Sequence, residues 1–509
     1  MSNKFEKFRQ VLSTMDRRTV LGRSAAVVGG LLAGQLLKPG KAEAQARAAS
    51  NTSSKSLNES TFTLTVVGEA LVARPFANQT EPEFTDLVKL LRESDVSYAH
   101  LETNIADTHE LDWSARGSTG AAGYLVAPPQ IAKDLAAVGI NTVSLAMNHS
   151  FDWGVAGLRN TIKHCKAAGL MVAGTGDDLE EATAPGYLET DKGRISMVSV
   201  ASGNSPHEWA GYGKGPIAGR PGVNPLRLKK LFVVDQATAA QLKDAGRKMG
   251  TLSEAAARNK EFNIFPGAIA GSNGFSGSAV LESDKFDITT VSHPGDEKRN
   301  IRAIQEAMKM SDFVMVAHHN SVSEEARGKD PADFVIDFAR KSIDAGADIY
   351  IGHGWHTFLG IEIYKGKPII YGLGSFFWQS SFIQWKAPEQ YESANFDMDQ
   401  LVTYNASSGQ LHPGGGEDWA WAAAYQFVFV NKKISEIRLH PLEMGMDYTS
   451  GKGVAYRTVG SGDHKYLDGS PRIAMGSNGK AILERLQKIT AMRGTKMDIV
   501  GNVGVIKVA

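Results

Sequence analysis

Five apolar runs in this chain end on residues that bind divalent metals, and that repetition constrains the fold more than any other feature. The run Ala347-Asp348-Ile349-Tyr350-Ile351 passes into Gly352-His353-Gly354-Trp355-His356. Thr65-Val66-Val67-Gly68-Glu69 and Val96-Ser97-Tyr98-Ala99-His100-Leu101-Glu102 each end on a carboxylate. Ser144-Leu145-Ala146-Met147 leads to Asn148-His149, and Phe313-Val314-Met315-Val316-Ala317 leads to His318-His319. Short apolar runs bounded by polar turns read as buried strands, and residues just past the carboxyl ends of such strands gather at one edge of a sheet. Two imidazoles three residues apart in one of those loops can converge on a single ion.

Between the strand ends, helical patterns alternate with apolar runs, which argues for an α/β fold whose sheet is covered by helices on both faces. Helices are expected over Ile131–Val138, Gly157–Ala168, Asp296–Met310 and Pro331–Ala345, the first two closed by Gly139 and Gly169. Strands are expected over Phe62–Val67, Thr142–Met147, Ile195–Ala201, Phe313–Ala317, Asp348–Ile351 and Ile361–Tyr364. Residues 206–290 break the rhythm. Glycine and proline crowd Gly211–Pro225, Val234–Gly246 and Thr251–Lys260 look helical, and Gly267–Gly277 is loop-like. This segment is expected to be an insertion or lid over the sheet edge. Further on, Tyr425–Val430 and Ile434–His440 flank Asn431-Lys432-Lys433 as a hairpin, and Gly479–Met492 reads as a helix with Asn478 as N-cap. The expected organisation is a main domain over 62–378 and a C-terminal extension over 379–509.

The chain carries 55 basic and 55 acidic residues. Its first 46 residues hold eight Lys or Arg against three Asp or Glu, so residues 47–509 carry 47 basic and 52 acidic. That mildly acidic balance argues against a nucleic-acid partner, which needs a basic patch. Asp16-Arg17-Arg18-Thr19-Val20-Leu21, a modest apolar stretch from Ala25 to Leu37, and small-x-small sites at Ala42-Glu43-Ala44 and Ala44-Gln45-Ala46 follow the order of a twin-arginine export signal. Residues 1–46 are therefore expected to be a signal peptide, and 47–61 a flexible polar linker. The apolar stretch is too short and glycine-rich to span a bilayer stably, so no transmembrane anchor is expected after cleavage, and the destination is the periplasm or the exterior. The single Cys165 cannot form an internal disulfide; it shares a helix face with Leu158 and Ile162 and is expected to be a buried, inert thiol.

The donor types at the strand ends suit divalent Mn, Zn, Fe or Co, because carboxylate and amide oxygens are mixed with imidazole nitrogens and thiolates are absent. Carboxylate or amide oxygens can bridge two ions about 3.5–4 Å apart, the spacing of two-metal hydrolases. Bound water then becomes a nucleophile at neutral pH, and a neighbouring imidazole can protonate the leaving group. His149, beside Asn148, is the candidate for that acid. Asp152 sits where it can cap the helix Gly157–Ala168 or brace His149. At Phe313–His319, alternation around the strand end can present either His318 or His319 to the site. Trp355 is a substrate wall or simple packing, and for His100, beside Glu102, a merely solvated ring is the plain alternative.

These motifs resemble a known family. Asn148-His149-Ser150-Phe151-Asp152-Trp153-Gly154 followed by Gly157-Leu158 looks like the Asn-Asn-His-x-x-Asp-x-Gly-x-x-Gly-Leu signature of CapA-type capsule and poly-γ-glutamate synthesis proteins. Gly352–His356 and Gly360–Phe376, with Tyr371-Gly372-Leu373-Gly374-Ser375-Phe376 at its end, resemble that family's Gly-His-x-x-His and Tyr-Ser-Leu-Gly-Asn-Phe motifs. The family is similar in turn to calcineurin-like metallophosphoesterases, so the resemblance implies a layered α/β sandwich with a metal centre, an inserted segment and a small β-rich C-terminal part. It implies Glu69, Glu102, Asn148, His318, His353 and His356 as ligands of one or two ions of Mn, Zn or Fe, and His149 as the acid. Three positions depart from the family pattern: Glu69 stands for Asp, Met147 for the first Asn and Ser375 for the last. Phosphoesterases proper add a histidine two residues after the first motif, where this chain has Leu71. The implied function is an exported metal-dependent hydrolase of capsule or poly-γ-glutamate metabolism that attacks a phosphoester or amide of an anionic polymer or small molecule. The alternative is a non-catalytic accessory component of the capsule-synthesis and export machinery.

Overall fold

The computed structural model of the protein describes residues 61–111, 124–264, 277–322, 324, 330–379, 421–444, 446–447, 455–456 and 469–508. The expected signal peptide, and all of the expected linker but its last residue, lie outside them.

Two sheets stack face to face, with helices on their outer faces. In the first, Thr61–Leu71, Val96–Leu101, Thr142–Ser144 and Met171–Ala173 run parallel. In the second, Gly193–Ser202, Phe313–Asn320, Ile349–His353 and Lys367–Ile370 run parallel, with Gly186–Thr190 and Ile361–Tyr364 antiparallel at the edges. The expected α/β layered sandwich is the observed architecture.

Strands buried on both faces alternate between two cores, and every layer of this protein can be read from that alternation. Phe62, Leu64 and Val66 of the first sheet face Phe313, Met315, Ala317, Ile349 and Ile351 of the second in the core between the sheets. Phe62 stacks on Phe313 with ring centroids 4.1 Å apart, and Phe429 meets Phe313 edge-on at 4.8 Å. Truncating a ring in such a cluster costs about 3–5 kcal/mol. The opposite faces take up the helices. Leu87 and Leu91 of helix Pro82–Glu93, Ile131 and Leu135 of Gln130–Ala137, and Cys165 of Gly154–Ala167 pack over Val67, Ala99 and Val143. Helices Pro294–Met310 and Asp333–Asp344 cover Val314, Val316 and Tyr350 through Ile304, Phe334 and Phe338.

The C-terminal hairpin does not stand apart as an appendage. Its strand Trp421–Val430 pairs antiparallel with Thr61–Val66, and Lys433–Glu443 continues the same sheet. Asn431 and Lys432 both have positive φ, 51° and 65°, the geometry of a type I′ turn that matches strand twist. The terminal helix runs Gly476–Ala491 and buries Ile482, Leu483 and Leu486 in the inter-sheet core. Met475, rather than Asn478, holds its N-cap position, and Asn478 Nδ2 donates to Glu443 instead. Within the 206–290 segment, Leu228–Asp235, Gly277–Ser283, Asp287–Ser292 and Glu261–Phe262 form a sheet of their own, with helix Gln236–Lys248 beside it. That small sheet is anchored where Thr289 Oγ1 donates to Asp333 (2.6 Å), at the start of helix Asp333–Asp344.

Candidate metal centre

Glu69 reaches the space between the sheets because the strand carrying it breaks its alternation. Val66 faces the inter-sheet core and Val67 the helices, so regular pleating would turn Glu69 under the helices. The register slips between Val67 and Glu69, so that Val67 pairs with Ala99 and Glu69 with His100. Gly68 is the extra residue of this bulge. A Cβ on Gly68 would sit 1.6 Å from Gly374 O, so no other residue fits there. Glu102 needs no such device: Val96 and Tyr98 face the inter-sheet core, and His100 and Glu102 follow in step.

Glu69, Glu102 and His356 converge, with one donor atom of each within 4.8 Å of the others. His356 Nδ1 lies 3.5 Å from Glu69 Oε2, and its Nε2 lies 3.5 Å from Glu102 Oε1. Glu69 Oε1 accepts from the Gly354 backbone N–H, and Ser375 Oγ is 3.2 Å from His356 Nδ1. His356 has a φ of 53°, a left-handed conformation uncommon outside glycine, which ends the turn that carries its ring to the carboxylates. Burial pushes the Glu102 carboxyl up to about 7, although His356 pulls against it. Burial lowers the His356 imidazole, but Glu102 and Glu69 more than offset this and hold it at about 9.

Beneath the carboxylates lies a buried group of imidazoles. His353 and His100 have ring centroids 4.3 Å apart, and His100 Nε2 is 2.9 Å from His319 Nδ1. Burial, reinforced by the neighbouring imidazoles, drives His100 well below the ordinary histidine value. Burial also lowers His319, against the pull of Glu69, and brings His353 down to about 3, which favours the neutral form of all three. Glu69 Oε2, Glu102 Oε2, His319 Nε2 and His353 Nδ1 are buried without a hydrogen-bond partner. Buried polar atoms are almost always paired, and orphans of both donor types at one edge are the pattern a cation's ligands would leave in its absence. The residues present fit a divalent ion.

His149 and Asp152 stand beside this group. Asp152 Oδ2 accepts from His149 Nδ1 (2.7 Å) and from Leu125 N (2.9 Å). The helix begins at Gly154 with Trp153 at its N-cap, so of the two expected roles Asp152 takes that of brace. Both residues lie close enough to bear on the ionisation of Glu102. Asn148 sits next to His149 at the end of the Thr142–Ser144 strand segment, half-buried. Trp355 packs against the outer core of the second sheet, and Arg220 is held by its bond to Trp209 O (2.8 Å).

His318 departs from the expectation. It continues the face of Val314 and Val316, toward the helices. Its Nε2 is 2.8 Å from Ser202 Oγ and its Nδ1 2.6 Å from Tyr350 OH, while Phe334 and Phe338 meet its ring edge-on. With both nitrogens taken, His318 has nothing to offer an ion. Its neighbour His319 continues the face of Phe313, Met315 and Ala317 into the site. His100 is not solvated but fully enclosed. The carboxylate side of the group and His353 and His356 lie together at one edge; His318 does not.

The family model for bacterial capsule synthesis protein PGA_cap matches residues 63–380. An uncharacterized protein of Sinorhizobium fredii, y4sH, is 33% identical over 464 residues, covering 88% of this chain and 93% of that protein. The PGA biosynthesis protein CapA of Bacillus subtilis is 41% identical over 83 residues, 16% of this chain and 21% of CapA. A Mycobacterium tuberculosis protein named “Probable polyglutamine synthesis accessory protein” is 27% identical over 243 residues, 47% of this chain and 46% of its own length.

Proposed function

This chain belongs to the PGA_cap family of bacterial capsule synthesis proteins, and from that premise we propose that it is a metal-dependent hydrolase acting in capsule or poly-γ-glutamate metabolism. The observation that carries the proposal is the convergence of Glu69, Glu102 and His356 within 4.8 Å, with buried orphan oxygens and ring nitrogens around them. A divalent ion held there, one or two in number, supplies Lewis-acid polarisation and lowers the pKa of water. Glu69 and Glu102 would hold the charge, and His356 together with the His319–His353 pair would supply nitrogen through whichever ring atom is bare. His149 is fixed by Asp152 at Nδ1, which aims Nε2 as the proton donor to a leaving group. The bond broken is a phosphoester or an amide of an anionic polymer or small molecule. The twin-arginine pattern Asp16–Leu21 supports export before the protein acts. No helix among the described residues is long and apolar enough to cross a membrane.

The word accessory in the Mycobacterium tuberculosis relative's name favours a second reading, in which the site binds polymer without turnover. One experiment separates the two. The purified chain is assayed for bound metal and for Mn- or Zn-dependent release from phosphodiesters and γ-glutamyl oligomers, with His149→Ala alongside. Hydrolysis requires stoichiometric metal and a loss of roughly 10²–10⁴-fold in the variant. No bound metal, or equal rates in the two proteins, sinks it.

A further inference from the structure

Tyr98, Ser144 and His100 belong to neither the ligand set nor the acid, yet they are fully buried and tied into one line. His353 Nε2 is 2.8 Å from Tyr98 OH, which is 2.6 Å from Ser144 Oγ. Ser144 Oγ is 2.6 Å from His100 Nδ1, and His100 Nε2 is 2.9 Å from His319 Nδ1. The two ends of the line, His353 Nδ1 and His319 Nε2, are the orphaned nitrogens at the site.

A hydrogen count along this line is decisive. Neutral imidazole carries one N–H and one bare nitrogen, and each hydroxyl carries one hydrogen. Five neutral groups therefore hold five polar hydrogens for four links, and one hydrogen is left over. If His353 Nε2–H donates to Tyr98, Tyr98 to Ser144, Ser144 to His100 and His100 to His319, the spare hydrogen sits on His319 Nε2. If every bond reverses, it sits on His353 Nδ1. Both end nitrogens can be bare only if a buried hydroxyl hydrogen points at no acceptor, the arrangement proteins avoid.

We propose that Tyr98, Ser144 and His100 are positioning residues that make His319 and His353 complementary, one presenting a bare nitrogen to the ion and the other an N–H to substrate. This rests on the metal-dependent reading of the site for its purpose, but the hydrogen count stands on the chain alone. The two roles exchange only if all four bonds flip together, so the site takes one nitrogen from this pair. An N–H aimed into the same space suits an anionic oxygen, such as that of a phosphoester or a carboxylate.

The test is nitrogen-15 NMR of histidine-labelled full chain, stripped with chelator, with His319→Gln and His353→Gln used to assign the two rings. The expected result is one outward nitrogen of bare, pyridine type and one of N–H, pyrrole type. Tyr98→Phe removes the hydroxyl that joins His353 to Ser144, and the two rings then lose their opposite settings. A thermal melt confirms that this variant is folded, and the wild-type spectrum decides without it. Both outward nitrogens bare, both protonated, or opposite states unchanged in Tyr98→Phe would overturn the proposal. Addition of Zn²⁺ is a separate arm: one ring should shift and not two. Opposite states with no Zn²⁺ response leave the hydrogen-bond line intact and discard the metal reading.

Discussion

The first sheet brings both carboxylates and His100 to the shared edge, the second brings His319, His353 and His356, and the protein supports the carboxylates and the buried imidazoles in different ways. The imidazoles are neutral, buried, and tied to Tyr98, Ser144 and one another, so that half is internally satisfied apart from its two orphan nitrogens. The carboxylates have little beyond the Gly354 N–H and the single ring of His356 to answer two buried acids. A buried carboxylate without a partner is costly, and the usual outcome is a raised pKa. The raised Glu102 shows that outcome. The imidazole half is closed by its own hydrogen bonds, and the carboxylate half is the part that the proposed cation would complete.

The comparison breaks first on pH in metal-free protein, where the largest effect is expected. Glu102 holds its proton to about 7 against an ordinary 4.5, and His356 holds its proton to about 9 against 6.5. Both folded values are raised, so each of these two groups holds its proton more tightly folded than unfolded. The lowered imidazoles of His100, His318, His319 and His353 work the other way below the ordinary histidine value, so stability is expected to fall with rising pH only above about 6.5, through the His356 value of about 9. The His356 contribution is full below its unfolded value and is lost as pH climbs through 9. Glu102 begins to penalise the fold once pH passes its unfolded value, up to about 7. Denaturant unfolding of chelator-treated protein should show a decline on the order of a few kcal/mol between about pH 6.5 and 9, and His356→Gln should flatten it. A stability that rises over that range would mean that the two acids do not hold His356 protonated.

A divalent ion sharpens the contrast next. Bound only to the folded state, it adds about 2.7 kcal/mol at a hundredfold excess over its Kd. The gain, read as a shift in the unfolding midpoint with Mn²⁺ or Zn²⁺, should vanish in Glu69→Gln combined with Glu102→Gln. Persistence of the full shift in that double variant would move the ion away from the carboxylates.

Much of this arrangement is legible in the residues. The strand ends at Glu102, His149 and His353 could be placed from apolar runs and the turns after them, because those signals are local. Glu69 was legible as a residue but not as a direction: only the bulge at Gly68, forced by the approach of Gly374 O, turns it inward. The hairpin's turn was visible in Asn431-Lys432-Lys433, whereas its pairing with Thr61–Val66 is a contact across most of the chain that no local pattern encodes. Asp152 was ambiguous because one extra helical turn, starting at Gly154, decides between cap and brace.

His318 and His319 are the sharpest case, and they carry the smallest of the expected effects. A strand with polar residues on one side announces which way each side chain points. Phe313–Ala317 is apolar at every position, because one face meets the other sheet and one meets helices. Sequence therefore gives two adjacent imidazoles and no way to choose between them. In the structure, His318 links Ser202 to Tyr350, and among the described residues the imidazole is the hydrogen-bond partner of Tyr350 OH. His318→Gln should destabilise the protein by about 1–3 kcal/mol, the cost of leaving buried polar groups badly paired, while the metal-induced shift keeps its size. His319→Gln should cost the metal-free protein about as much, because buried His100 Nε2 loses its partner, but it should in addition weaken the ion's hold. Paired denaturant curves with and without Zn²⁺ read both effects in one experiment. If His318→Gln removes the metal shift and His319→Gln leaves it, the two faces of that strand have been assigned the wrong way round, and with them the claim that the second sheet presents its histidines to the first.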